Sequence, residues 1–135
     1  MAAPLFSAPW AQALCQALND SDEYRDAAAT WEGDLSLVAQ TDADPRVVYL
    51  DLHHGACRSA LAGPDAAARE AAFSIEAPLG VWRDLLAGTL DPIMGMMLGK
   101  LTVRGNVATI AAHAAAAKAL IACATSVEST YAAGP

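Results

Sequence analysis

The chain has 135 residues, the length of one domain, and 15 Asp and Glu against 8 Lys and Arg leave a net charge of −7. That balance argues against nucleic acid, which needs clustered Lys and Arg, and against a strong electrostatic hold on anionic membranes. Hydrophobic residues make up 55%, ample for a core, although much of that fraction is alanine, which buries little area per residue.

Residues 1–8 read as a loose tail, as do 132–135. No Lys or Arg precedes Arg25, and Pro4 and Pro9 interrupt the early apolar residues, so no secretory signal is expected. Pro9 and Trp10 open a helix with Trp10, Leu14 and Leu18 as its apolar stripe. Asn19-Asp20-Ser21-Asp22 ends it or caps a further helix from Glu23 to Ala29. The acidic run Asp20, Asp22, Glu23 and Asp26 reads as a solvated helix face.

Asp34 to Gln40 alternates, Leu35, Leu37 and Ala39 against Ser36, Val38 and Gln40, and reads as a strand. Thr41 to Pro45 is a turn cluster. Arg46 to His53, β-branched and aromatic at Val47, Val48 and Tyr49, is a second strand. His54-Gly55 makes a tight turn, and Ala56 to Leu61 returns as a third. Val48, Leu50 and Leu52 fill the inner side of this hairpin. Gly63-Pro64-Asp65 starts a loop with a helical turn at Ala66 to Glu70, and Ala71 to Glu76 is a fourth strand with Phe73 and Ile75 on one face.

The stretch from Ala77 to Asn106 is densely punctuated. Trp82, Leu85 and Leu86 share one helix face and Gly88 ends that helix. Asp91 offers an N-cap oxygen, Pro92 sits at the first helical position, and Gly99 supplies a left-handed stop. Between these caps lie Ile93, Met94, Met96, Met97 and Leu98. A short helix apolar all round is buried, or faces a cavity or a partner, and methionine suits a pocket whose contents vary in shape. Lys100 to Arg104, with Leu101 and Val103 on one side, is a fifth strand. Gly105-Asn106 turns the chain into a last, alanine-rich helix from Val107 to about Thr130. Ile110, Ala114, Ala117 and Ile121 lie on one side of it, and Glu128 and Tyr131 mark its exposed end. Five strands with segregated helices make an α+β fold in a single domain, residues 1–135, with one covered face.

Catalytic motifs are absent: no G-x-S-x-G, H-E-x-x-H, P-loop or C-x-x-C occurs. Ser59 and Cys57 stand near His54 without a third orienting residue. Asp51, His53 and Cys57 are three ligand types across one hairpin, but alternation makes a polar outer face the simpler reading, so no metal site is assigned. His113 follows Ile110 by three and borders the same helix face. Lys118 is a solvated helix residue. Cys15, Cys57 and Cys123, odd in number and without metal-like spacing, read as reduced thiols of a cytoplasmic protein.

The run "W..LL.GTLDP...MMLGKLTVRGN" resembles the closing half of the sterol carrier protein 2 (SCP2) domains. Gly88, Asp91, Pro92, Met97, Gly99, Lys100, Leu101, Gly105 and Asn106 fall on that family's "G..dp..a.m.GklkikGd" pattern, and Trp31-Glu32-Gly33 fits its "W.G" motif. The last helix departs from the pattern in being longer and richer in alanine. The resemblance implies a five-stranded, mainly antiparallel sheet with helices over one face and an apolar tunnel between them. It implies a lipid-binding carrier for a sterol, fatty acid or fatty acyl-CoA, with no catalytic group, cofactor or stable membrane insertion. The lining expected on that basis is Trp82, Leu85, Leu86, Ile93, Met94, Met97, Leu98, Leu101, Val103, Ile110 and Ile121. Two alternatives stand beside it. One is a homodimeric interaction module pairing through the alanine helix. The other is an accessory enzyme subunit acting on a bound acyl group through His113 or Asp51 and His53.

Overall fold

The computed structural model describes residues 3–127 together with Ser129 and Thr130. Ala3–Pro4 forms a short strand, β1. Ser7 accepts a hydrogen bond from the Trp10 N–H and so starts helix α1, Ala8–Asp20, and Ser21 does the same through Tyr24 for α2, Asp22–Ala27. Three strands follow, β2 (Leu35–Gln40), β3 (Arg46–His53) and β4 (Ala56–Ala62), then a helical turn, α3 (Pro64–Ala67), and strand β5 (Phe73–Pro78). Helices α4 (Leu79–Leu86) and α5 (Pro92–Met97) precede strand β6 (Thr102–Arg104). Asp91 caps α5 through the Met94 N–H, as its position before Pro92 predicts. Asn106 caps α6 (Val107–Ala112), which leads to α7 (Ala114–Ser126) and a last short strand, β7 (Ser129–Thr130).

The main sheet has the order β4-β3-β2-β5-β6. Its pairs are antiparallel except β2–β5, which is parallel, so the expected mainly antiparallel sheet is found in mixed form. Register explains which side chains share a face. Leu35 stands opposite both Leu50 and Phe73, Leu37 opposite Val48 and Ile75, and Ile75 opposite Val103. Opposed residues point the same way, so these chains form one apolar floor beneath α1, α2, α4 and α7.

Three expectations change. The loose tail does not hold for residues 3–8. β1 pairs with β7, Leu5 and Phe6 are buried, and the Phe6 ring packs 4.9 Å from Trp10 and 5.2 Å from Trp82. Burying an aromatic ring outweighs the ordering cost of so short a segment. Next, the last helix is two helices. At His113 the backbone leaves the helical region (φ −114°, ψ 29°), and its N–H is shared between the carbonyls of Thr109 and Ile110. Finally, α3 covers part of the other sheet face, where Ala66 packs with Val47 and Tyr49 in a separate small cluster. The expected tail at 132–135 and the end markers Glu128 and Tyr131 lie outside the described residues.

Candidate functional site

Trp31 anchors the site. Its indole N–H donates to the Gly33 carbonyl at 2.9 Å, which curls the Trp31-Glu32-Gly33 segment and lays the ring against Phe73, 4.6 Å between centroids. Phe73 is held from two sides by glycines. A β-carbon on Gly33 would sit 2.7 Å from the Phe73 ring, and one on Gly105 would overlap it. The other edge of Trp31 meets the His113 ring at 5.1 Å and 81°.

These rings border a cavity of about 50 Å3 between the sheet floor and the last two helices. Trp31, Leu35, Leu52, Phe73, Ile75 and Val103 line it from below, Tyr24 from α2, and Ile110, His113, Ala116, Ala117 and Leu120 from above. The alanines leave room where larger residues would close the gap. At roughly 10–15 Å3 per water-sized volume, the space takes a few atoms and a longer chain would have to widen it. Burial pushes the Tyr24 hydroxyl above its usual range, so it stays neutral. His113 has both ring nitrogens engaged, Nδ1 with the Thr109 carbonyl at 2.9 Å and Nε2 with the Thr30 hydroxyl at 3.0 Å. The wall therefore presents apolar surface and no unengaged base.

Of the lining expected from sequence, Val103 and Ile110 border this cavity. Trp82, Leu85, Leu86, Leu101 and Ile121 are instead packed in the adjoining core, where the Trp82 N–H donates to the Val38 carbonyl at 2.9 Å. Ile93 is half-buried, while Met94 (49% exposed), Met97 (76%) and Leu98 (60%) face outward. The reason is local. In α5 the inward position belongs to Gly95, which lies against Leu90 and Leu101 and lets the helix approach by its backbone, turning the methionines away. Trp31, Phe73 and His113 were not among the expected lining. Strand alternation was the signal for Phe73, the Trp31-Glu32-Gly33 motif that for Trp31, and the three-residue spacing from Ile110 that for His113.

The three-ligand set Asp51, His53 and Cys57 does not converge. Cys57 opposes Leu52 on the inner face, where burial pushes its thiol above the usual range, whereas Asp51 pairs outside with Arg58 at 2.9 Å. A different set assembles. His53 pairs with Glu32 in an isolated antiparallel bridge, and Glu32, His53 and His54 bring one ligand atom each within 4.8 Å of one another. The hydrogen bond with Glu32 and a second with the Ala29 carbonyl raise the His54 pKa, and the same pairing lowers that of Glu32.

Among the described residues no helix is long and apolar enough to cross a membrane. Comparison with known proteins gives a consistent picture. The model of the SCP-2 sterol transfer family matches residues 11–118. A crystal structure of sterol carrier protein 2 superposes with a TM-score of 0.85 at 43% identity, over 91% of this chain and 98% of that one. The solution structure of a conserved hypothetical protein from Thermus thermophilus, described as possibly a sterol carrier protein, gives 0.83 at 40% identity, over 96% and 97%. Apo sterol carrier protein 2 from Yarrowia lipolytica, 19% identical with a TM-score of 0.59 over 85% and 88%, shares the fold. No protein of curated function matches.

Proposed function

The chain belongs to the SCP-2 sterol transfer family, and from that premise we propose that it is a non-catalytic carrier of a sterol, fatty acid or fatty acyl-CoA. The observation that carries this reading is the cavity beside Trp31 and Phe73, apolar on nearly every side and without an unengaged base. The apolar part of the ligand enters between the sheet and α6, and α6 swings about His113 to widen the space. The outer face of α6 supports this: Ala108, Ala111 and Ala112 are exposed, while Ile110 packs against the core. Each methylene removed from water contributes about 0.8 kcal/mol, so some 14 methylenes give roughly 11 kcal/mol gross. Ordering costs of several kcal/mol leave roughly micromolar binding, tight enough to hold a lipid and loose enough to release it. Trp82, Leu85, Leu86, Leu101 and Ile121 then act as the packed wall behind the site, and Val103 and Ile110 as contact residues. The free thiols Cys15, Cys57 and Cys123 suit a reducing cytoplasm.

Native mass spectrometry of protein purified from cells, followed by lipid extraction, tests this. A co-purified acyl or sterol lipid is expected, along with a change in tryptophan emission on titration with a fatty acyl probe that Trp31→Phe abolishes. Protein that is repeatedly empty and unresponsive to the probe overturns the reading.

A second reading rests on α5. Met94, Met97 and Leu98 form an exposed apolar surface suited to a partner. Self-association through α7 is less favoured, because Ala116, Ala119, Leu120, Ile121 and Ala124 already pack within the chain. Gel filtration distinguishes them: a single-subunit mass removes the homodimer.

A further inference from the structure

The hairpin between β3 and β4 closes in a two-residue turn, with both His54 (φ 48°) and Gly55 (φ 84°) left-handed. That is the primed turn favoured in hairpins, and histidine is one of the few side chains that tolerates its first position. The turn brings His54 back beside His53, their rings 4.2 Å apart at 72°. Two further bonds tie it to the segment before β2: the His54 N–H donates to the Trp31 carbonyl at 2.7 Å, and Nδ1 donates to the Ala29 carbonyl at 2.9 Å. A carbonyl and a carboxylate both only accept, so Nδ1 donates to Ala29 and Nε2 donates to the Glu32 carboxylate, 2.9 Å away, through the proton that a metal ion would displace.

We propose that Glu32, His53 and His54 form a surface site for a divalent transition-metal ion of the zinc class. Two imidazoles and a carboxylate are the borderline ligands such an ion prefers, and three protein ligands leave a fourth, open position for water. Ligand atoms on a tetrahedral zinc ion stand about 3.3 Å apart, given bonds of about 2.0–2.1 Å. The observed span of 4.8 Å or less closes to this by rotation of the exposed Glu32 and His54 side chains toward the half-buried His53. The outer contact is already in place: a metal-binding histidine typically donates its second ring N–H to a carbonyl or carboxylate, as His54 does to Ala29. The ion would clip the hairpin to the segment carrying Trp31, and so brace the wall of the apolar cavity from outside.

The test uses untagged full-length protein titrated with zinc chloride by calorimetry, with cobalt(II) as a spectroscopic probe. Saturable binding of one ion per chain is expected, with a rise in melting temperature. His53→Ala and His54→Ala should each weaken it by about tenfold or more, and Glu32→Gln by several fold. His113→Ala, removing the third histidine of the chain, should leave it unchanged. Circular dichroism of each variant shows that the fold persists, and Glu32→Gln, which keeps the side chain's shape, decides the matter if a histidine variant misfolds. Absence of saturable binding below millimolar zinc, or binding that survives these three substitutions, overturns the proposal. Neither result decides whether a lipid binds, which titration of the metal-free protein with a fatty acyl probe reads separately.

Discussion

A methyl group added at Gly105 would enter space held by the Phe73 ring, at a backbone φ of 127° that side chains rarely adopt. Gly105→Ala should therefore cost about 1–3 kcal/mol, read as a lower urea midpoint with an unchanged slope. Phe73→Leu should relieve part of that cost, and a double-mutant cycle measures the coupling. A second residue-scale prediction concerns Tyr49. Its hydroxyl donates to Asp34 Oδ2 at 2.7 Å, a bond lost on ionisation, and this pushes its pKa from 10.0 up to about 12. A folded pKa above the unfolded one means the contribution is fully present below about pH 10 and is lost as pH rises toward about 12. Stability should fall across that window, and Tyr49→Phe should flatten the fall. A Tyr49 phenolate absorbance that titrates at the ordinary tyrosine pH would contradict this.

At the scale of elements, the punctuation was legible and the direction of faces less so. Asp91, Pro92 and Gly99 set α5 as read, because capping depends on residues within one turn. That α5 turns its methionines outward depends on Gly95 meeting Leu90 and Leu101, a contact between elements that helical periodicity does not encode. β2, β3 and β4 follow the expected bounds to within a residue, because turn residues flank them, whereas β5 and β6 begin two residues later than expected and the short β1 and β7 carry no periodicity to read. The break at His113 is not legible in the sequence, since alanines on both sides favour continuous helix, while His113 meets a hydrogen-bond partner, Thr30, and a ring contact, Trp31, far away in sequence. The expected lining therefore spans two locations: Val103 and Ile110 border the cavity, whereas Met94, Met97 and Leu98 are exposed at α5. A pair of substitutions separates the two locations. Ala117→Trp should fill the cavity and abolish binding of a fatty acyl probe, whereas Met97→Glu, on an exposed position, should change affinity by less than about twofold and stability by less than about 0.5 kcal/mol. Equal losses from both would shift the site back to α5.

For the molecule as a whole, Leu5 and Phe6, ahead of the first helix, belong to the core. Phe6 bridges Trp10 and Trp82 and so links α1 to α4, and Phe6→Ala should cost about 3–5 kcal/mol in chemical denaturation. Removing residues 1–8 should cost more, because Leu5 leaves with Phe6. The β1–β7 pairing has a broader meaning. Ala3 lies alongside Ser129 and Pro4 alongside Thr130, so two segments far apart in sequence run side by side. Joining them through a glycine-serine bridge and opening the backbone at the exposed bend between Ala43 and Asp44 should give a permuted protein with the same architecture.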